Sequence, residues 1–290
     1  MKPQVFEQTI FDILNERLRR LEDHFKADVI FFYGPIGDFL EKPFRDFVED
    51  LKEDSSQRRF VIVLNTPGGS AETVDRLVKI IRYHYDEVYF VVPDSAYSAG
   101  TIFCMSGDKI YMDYSSALGP IDPQVNNGKH WVPALGYLDK VAELIAKAQN
   151  GTITSAELVL LRDQDLAMLR SFEQARDLTH ALLKEWLVKY KFKDWDTHQT
   201  TPELLGKKVT ESEKEERAQE VARLLSDNSL WHSHGRAIGI SQLTRILRLQ
   251  IDDYSGQDEL RNLIRDYNDL ITQYIIKEQL PAFLHSRKSS

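Results

Sequence analysis

The 290-residue chain has a single cysteine, Cys104, so a disulfide within the chain is impossible. One thiolate also excludes a zinc site built from several cysteines. Cys104 lies in the apolar stretch 101–105, and we expect it to be a buried packing residue. The spacing of His232 and His234 would suit a metal, but no third ligand is evident. We therefore expect neither a metal nor another cofactor.

Positive charge and long apolar runs are also scarce. The net charge of −8 argues against non-specific binding to nucleic acid or anionic membranes, since both need a cationic face. Residues 1–25 are amphipathic and rich in charge, without the apolar core of a signal peptide. No apolar stretch approaches the ~18–20 residues that span a bilayer. We expect a cytoplasmic protein with no membrane span and no nucleic-acid partner.

Between residues 28 and 112, short apolar runs alternate with segments of helical periodicity. These runs have the length and the continuous apolar character of strands buried on both faces. They are 28–33, 59–64 and 88–92. Strand, helix, strand with short connections predicts an α/β fold with a parallel sheet between helices. Functional residues in such a sheet gather at the carboxyl ends of the strands, here in the loops 65–69 and 93–98.

Helical periodicity dominates both flanks of this region. We expect an N-terminal helix at 1–27, an α/β core at 28–134, and a helical region at 135–290 that completes the core and contributes to oligomerisation. The polar stretch 191–208 is the best candidate for an internal linker. Residues 286–290 are expected to form a frayed tail.

Three details of the helical region follow from its pattern. Residues 155–190 predict one long helix, and Thr154 with Glu157 has the spacing of a capping box at its start. Near-heptad apolar residues in 258–279 indicate either packing within the chain or a seam between subunits. They are Leu260, Leu263, Tyr267, Leu270 and Tyr274.

Ser98 stands shortly after the third apolar run, where the next helix begins. A hydroxyl there would be exposed at the end of a strand, and the positive end of the helix dipole would favour developing negative charge. Ala99 and Gly100 leave room for a substrate. A serine before a helix can equally be only an N-cap.

Gly68 and Gly69 follow the second apolar run. Two glycines there allow backbone N–H groups to turn outward, as donors for an oxyanion or a phosphate. The alternative is a plain tight turn. No Gly-Lys-Ser/Thr follows, as a Walker loop requires, and a dinucleotide fingerprint is absent. Acyl-group chemistry therefore fits better than nucleotide binding, with the glycine turn beside Ser98.

Three segments, in this order and at these intervals, carry a resemblance to a known family. They are Leu64-Asn-Thr-Pro-Gly-Gly-Ser70, Tyr97-Ser-Ala-Gly-Thr101 and Ala117-Leu-Gly-Pro-Ile-Asp-Pro-Gln124. The chain resembles the proteolytic subunit of Clp protease and the signal peptide peptidase A family, above all the serine dehydrogenase proteinase branch. The resemblance is strong over 28–126. It is weak beyond, where Trp231–Ile238 is similar to the family's histidine-containing segment.

This resemblance implies a ClpP/crotonase-like ββα spiral with a helical C-terminal extension, and ATP-independent hydrolysis of peptide bonds. It implies that Ser98 is the nucleophile that forms an acyl-enzyme. The N–H groups of Gly69 and Ala99, with Gly68 in the same turn, would form the oxyanion hole. It also implies peptide or unfolded-protein substrates and a homo-oligomer, usually trimer-based, whose subunit contacts complete a catalytic chamber.

The general base stays open at the level of sequence. The Clp subunit has a histidine in the segment that aligns with 121–123, and no histidine stands there in this chain. Signal peptide peptidases use a lysine instead, for which Lys140, Lys147 and Lys129 are candidates. A desolvated lysine can act as a base, although a lysine on a helix surface is usually only solvated.

Histidines offer another route to a base, because a serine–histidine pair needs only spatial contact. The candidates are His130, His180, His232 and His234. Asp122 could orient the base or shape the substrate-binding strand, or it could simply begin an Asp-Pro turn.

Two other functions share this pattern. A crotonase-type acyl-coenzyme A hydratase or hydrolase has the same fold and oxyanion hole, but it relies on carboxylates and does not need a serine at position 98. A catalytically inactive scaffold is the third hypothesis, since no base is assigned and the second half of the chain is rich in helix.

Overall fold

The computed structural model describes residues 3–126, 131–199 and 202–289. Its helices are α1 (Pro3–Phe25), α2 (Glu41–Glu53), α3 (Ala71–His84), α4 (Ala99–Met105), α5 (Ala134–Gln149), α6 (Ser155–Arg162), α7 (Leu166–Trp186), α8 (Glu211–Leu225), α9 (Asn228–Trp231), α10 (Ile240–Arg245) and α11 (Asp258–Glu278). Its strands are β1 (Asp28–Tyr33), β2 (Arg59–Asn65), β3 (Glu87–Val92), β4 (Ser95–Ala96), β5 (Lys109–Met112), β6 (Ala117–Leu118), β7 (Gln124–Asn126), β8 (Trp131–Pro133), β9 (Asp252–Asp253) and β10 (Phe283–His285).

The main sheet has the strand order β10-β1-β2-β3-β5-β9. All neighbouring strands in it are parallel except β10, which runs antiparallel to β1. The predicted α/β architecture with a parallel sheet is therefore confirmed. Because β2 and β3 are adjacent and in register, with Ile62 beside Phe90, the loops that follow them leave the sheet side by side.

Each face of the sheet closes a separate hydrophobic core. Along β1, Ile30 and Phe32 enter one core while Val29 and Phe31 enter the other, as the alternation of a strand requires. Helices α2, α3, α4, α7 and α8 contribute to the first core, and α1 and α11 to the second. This two-sided burial explains why the strands read as continuous apolar runs.

The C-terminal half, where the sequence predicts a helical region that completes the core, also contains strands that were not predicted. It supplies both edge strands of the sheet, β9 beside β5 and β10 beside β1. These strands are only two and three residues long, too short to give an alternation signal. The single helix expected at 155–190 is also wrong. It is divided after Arg162, because the Asp165 side chain accepts hydrogen bonds from the N–H groups of Ala167 and Met168 and starts α7.

The C-terminal tail is held in place, so the expectation of fraying at 286–290 is wrong for the described residues 286–289. Ser286 is buried, and the Arg287 guanidinium pairs with the carboxylates of Glu22 and Asp28. Lys288 pairs with Asp54 at 2.7 Å. The stretch 191–208, the candidate for an internal linker, contains two buried residues, Phe192 and His198.

Other local predictions are confirmed. Thr154 and Glu157 form the capping box at the start of α6. The near-heptad stripe of α11 packs within the chain, with Leu260 and Tyr267 buried against α1 and the sheet. Cys104 is buried in the first core. No helix among the described residues is long and apolar enough to cross a membrane.

Candidate active site

The loops after β2 and β3 are joined by backbone hydrogen bonds. The N–H of Thr66 donates to the carbonyl of Ser95 (3.0 Å), and the N–H of Tyr97 donates to the carbonyl of Thr66 (3.0 Å). β4 pairs in turn with β6, which places residues 117–118 beside this junction. The ladder therefore continues past the main sheet and fixes the glycine turn relative to Ser98.

The glycine turn needs glycine at both positions. Gly68 and Gly69 have φ of +104° and +150°, a region that residues with a side chain rarely adopt. A Cβ on Gly69 would lie 2.0 Å from the carbonyl oxygen of Ile36. A Cβ on Gly68 would lie 2.8 Å from the Cβ of Ser98 and 2.7 Å from the carbonyl oxygen of Tyr97. The turn is thus in direct contact with the serine.

Ser98 has a strained backbone, with φ of +52° and ψ of −116°. It occupies the N-cap position of α4, but its side chain makes no capping hydrogen bond. Strain of this kind costs about 1–3 kcal/mol and tends to persist where a site requires it. The side chain is half-buried. These features weaken the interpretation of Ser98 as a plain N-cap, because the hydroxyl is not used for capping.

The backbone N–H groups of Gly69 and Ala99 are among those near Ser98 that have no partner in the described part of the chain. Gly69 forms a parallel bridge with Ile36 through the peptides on either side of it. The N–H of Ile36 donates to the carbonyl oxygen of Gly68, and the carbonyl oxygen of Ile36 accepts from the N–H of Ser70. The N–H of Gly69 itself then faces away from Ile36. Ala99 is the first residue of α4, where N–H groups lack intrahelical acceptors.

Thr101 is a residue of this site to which the sequence analysis gave no role. Its buried hydroxyl lies 2.8 Å from the carbonyl oxygen of Ala96, and it accepts a hydrogen bond from the N–H of Gly119 (2.9 Å). It therefore joins the turn that carries Ser98 to the segment after β6. Its position directly after Ser-Ala-Gly was visible in sequence, but its partners were not.

Asp122 is fully buried near the start of α5, where one carboxylate oxygen accepts a hydrogen bond from the N–H of Leu135 (3.0 Å). Its other oxygen, Oδ2, is buried without a partner in the described residues. Burial raises the pKa of this carboxyl to about 6. Asp122 thus does more than begin a turn, because its carboxylate caps the first turn of α5.

His234 lies on the segment that returns to β6, where Ile238 and Leu118 exchange backbone hydrogen bonds. Its Nδ1 atom is buried and has no partner among the residues that the structure describes. Burial lowers the pKa of the imidazole, which favours the neutral form that can accept a proton.

The two lysine candidates on α5 are engaged with carboxylates. The Lys147 ammonium lies 2.9 Å from Glu143 and 2.7 Å from Glu157. The hydrogen bonds that the Lys147 ammonium donates to Glu157 and to Glu143 raise its pKa. Lys140 is mostly exposed and pairs with Glu143 at 2.8 Å. Neither lysine is buried in the apolar setting that a lysine base requires.

Four candidates for the base remain. His180 is hydrogen-bonded to Ser226 (2.8 Å), and His232 is exposed after α9. Lys129 and His130 fall outside the described residues. The structure thus brings Ser98, Ala99, Gly68 and Gly69 together. In the described residues, no hydrogen bond joins the Ser98 hydroxyl to any candidate base.

A family model described as a ClpP-like SDH-type serine proteinase matches residues 24–206, more than half of the chain. Two curated relatives come from Methanocaldococcus jannaschii. They are the uncharacterized proteins MJ0137, 29% identical over 125 residues, and MJ1495, 26% identical over 124. Each alignment covers 43% of this chain. The chain spans only 39% and 38% of the length of these relatives.

Among solved structures, the chain is similar to a membrane-bound stomatin-specific protease, 1510-N, with 13% identity and a TM-score of 0.46 over 81% of this chain and 83% of that one. It is also similar to ClpP1 from Listeria monocytogenes, with 12% identity and a TM-score of 0.41 over 78% and 89%. Because both TM-scores are low, the family is assigned from the sequence match alone.

Proposed function

The chain belongs to the family of ClpP-like SDH-type serine proteinases, and we propose that it hydrolyses peptide bonds through an acyl-enzyme on Ser98. The observation that carries this proposal is that Ser98, whose hydroxyl makes no capping hydrogen bond, packs against the glycine turn near the unpartnered N–H groups of Gly69 and Ala99.

In this proposal, the Ser98 hydroxyl attacks the carbonyl carbon of the substrate while a base removes its proton. The N–H groups of Gly69 and Ala99 donate to the oxyanion of the tetrahedral intermediate. Each such donor is typically worth about 3–4 kcal/mol of transition-state stabilisation. Collapse of the intermediate expels the amine and leaves the acyl group on Ser98. Water then hydrolyses this ester and regenerates the hydroxyl.

We propose His234 as the base. Support comes from its buried, unpartnered Nδ1 atom and from the lowered pKa of the imidazole. Asp122, with one unpartnered carboxylate oxygen, is the candidate to orient that base. Lys140 and Lys147 remain alternatives, although each ammonium is already paired with a carboxylate.

We further propose peptide or unfolded-protein substrates and a homo-oligomer, trimer-based as in related peptidases. Exposed apolar side chains on α6 support self-association, since large exposed apolar patches mark interaction sites. They are Leu158, Val159 and Leu160. We also propose that the chain is divided into an N-terminal helix at 1–27, a catalytic core at 28–134 and a helical region at 135–290. The proposed location is the cytoplasm.

Labelling with a fluorophosphonate probe tests the role of Ser98. We expect covalent labelling of the wild-type chain and none of Ser98→Ala. The matched control is Ser70→Ala, which removes a nearby serine hydroxyl that caps α3. Equal labelling of wild type and Ser98→Ala would remove Ser98 from its role.

The same experiment separates the alternatives. A folded wild-type chain that binds acyl-coenzyme A thioesters but resists the probe would favour a crotonase-type enzyme. Assembly without labelling, thioester binding or peptide cleavage would favour a scaffold.

A further inference from the structure

Helix α11 places a buried amide between the two loops of the candidate site. Asn268 is 4% exposed on the face of α11 that packs on the sheet, among the apolar residues Ile264, Tyr267 and Ile271. Asparagine is a poor helix former, and a buried amide costs free energy unless it is hydrogen-bonded. Hydrogen bonds to its side chain must therefore compensate for the burial of this asparagine.

Those partners are the residues at which the two loops begin. The Asn268 side-chain amide donates to Asp94 Oδ2 (2.8 Å), and its oxygen accepts from Asn65 Nδ2 (2.8 Å). Asn65 Nδ2 also donates to Asp94 Oδ2 (3.0 Å), which closes a triangle of three side chains. The N–H of Ser95 donates to Asn65 Oδ1 (3.3 Å).

Two residues of this triangle stand at the starts of the two loops that carry the proposed reacting groups. Asn65 ends β2 and leads into the glycine turn, while Asp94 follows β3 and leads into the turn that carries Ser98. The backbone ladder between Thr66 and residues 95–97 starts from the same point. A shift at the triangle would therefore change the distance between the oxyanion donors and the Ser98 hydroxyl.

We propose that Asn268 is a positioning residue for the reaction at Ser98, and that α11 fixes the spacing of the nucleophile and the oxyanion hole through it. This inference rests on the proposed function. It adds a residue that lies outside 24–206, the part of the chain that matches the family. Asn268 acts through Asn65 and Asp94 and does not contact the substrate.

The rate constant of fluorophosphonate labelling, measured for folded variants, tests this role. We expect Asn268→Leu, which keeps the volume and removes the hydrogen bonds, to label about 10- to 100-fold more slowly, since small misplacements of a reacting group cost this much. Tyr267→Phe is the matched control. It removes the buried hydrogen bond to His285 from the neighbouring position of α11, and we expect no change in labelling.

Two further variants keep the test decisive if Asn268→Leu does not fold. Asp94→Ala removes the exposed corner of the triangle, and we expect it to slow labelling in the same range. In Asn268→Asp the introduced carboxyl can donate to Asp94 only when protonated. We expect its labelling rate, divided by that of wild type, to rise as the pH falls.

The outcomes distinguish this inference from the proposed function. If wild type is not labelled, the proposed function fails. If wild type is labelled and folded Asn268→Leu or Asp94→Ala reacts at the same rate, or if Tyr267→Phe slows labelling equally, then Asn268 has only a structural role and the inference is overturned.

Discussion

The proposed nucleophile side and the proposed base side of the candidate site are built in different ways. Ser98 and the glycine turn are fixed by backbone hydrogen bonds that extend a parallel sheet. Asp122 and His234 come from segments more than a hundred residues apart, and each has a buried polar atom without a partner in the described residues. In the proposed mechanism, the oxyanion geometry therefore follows from strand order, whereas the base depends on how distant segments of the chain pack.

Gly68→Ala should produce the largest effect on the labelling rate, because it distorts the glycine turn that backbone hydrogen bonds hold beside Ser98. The added Cβ meets Ser98 and the Tyr97 carbonyl inside van der Waals distance, at a φ that alanine avoids. We expect the rate constant of fluorophosphonate labelling to fall about 10³-fold through displaced oxyanion donors. Gly256→Ala, where a Cβ meets nothing within 4 Å, is the control. Unchanged labelling of Gly68→Ala would mean that the turn takes no part in the reaction.

His234→Gln should come next, since it removes the proposed base and leaves the nucleophile side intact. We expect peptidase kcat to fall about 10²-fold, within the usual range for loss of a general base. Lys147→Met and Lys140→Met should leave kcat nearly unchanged, because these ammonium groups pair with carboxylates. A loss of kcat confined to one of the lysine variants would instead identify that lysine as the base, as in signal peptide peptidases.

Asp122 gives the smallest predicted effect, one on stability. Its folded-state pKa of about 6 is above the ordinary 3.8, so the folded chain keeps a proton that the unfolded chain loses between these values. Stability is therefore lost as the pH rises through this window, by up to roughly 3 kcal/mol. Asp122→Asn removes this loss, so its free energy of unfolding relative to wild type should increase from pH 4 to pH 7.

Urea unfolding at both pH values measures this difference. Asp269→Asn, which changes an exposed carboxylate on α11, is the matched control. A relative stability of Asp122→Asn that does not change with pH would mean that Asp122 ionises normally in the folded chain.

The sequence predicts that the glycine turn and Ser98 lie side by side, and for a physical reason. Buried parallel strands are continuous apolar runs, and the small residues that follow them mark loops at the carboxyl ends. The contact between Gly68 and Ser98 then follows from the adjacency of β2 and β3.

The base side and the support from α11 could not be predicted in the same way. The setting of His234 depends on a bridge between Leu118 and Ile238, which no local pattern encodes. Asn268 appears in sequence as one polar residue in an amphipathic helix, and its partners are about two hundred residues away. The edge strands β9 and β10 were missed because two or three residues carry no periodicity.

The central claim is that the amide hydrogens of Gly69 and Ala99 face the oxygen that becomes negative when Ser98 attacks. A crystal structure of the fluorophosphonate adduct tests it most directly. We predict phosphorus bonded to the Ser98 oxygen, with the phosphoryl oxygen roughly 2.7–3.1 Å from both backbone nitrogens. An adduct on another residue, or a phosphoryl oxygen directed away from both nitrogens, would contradict the claim.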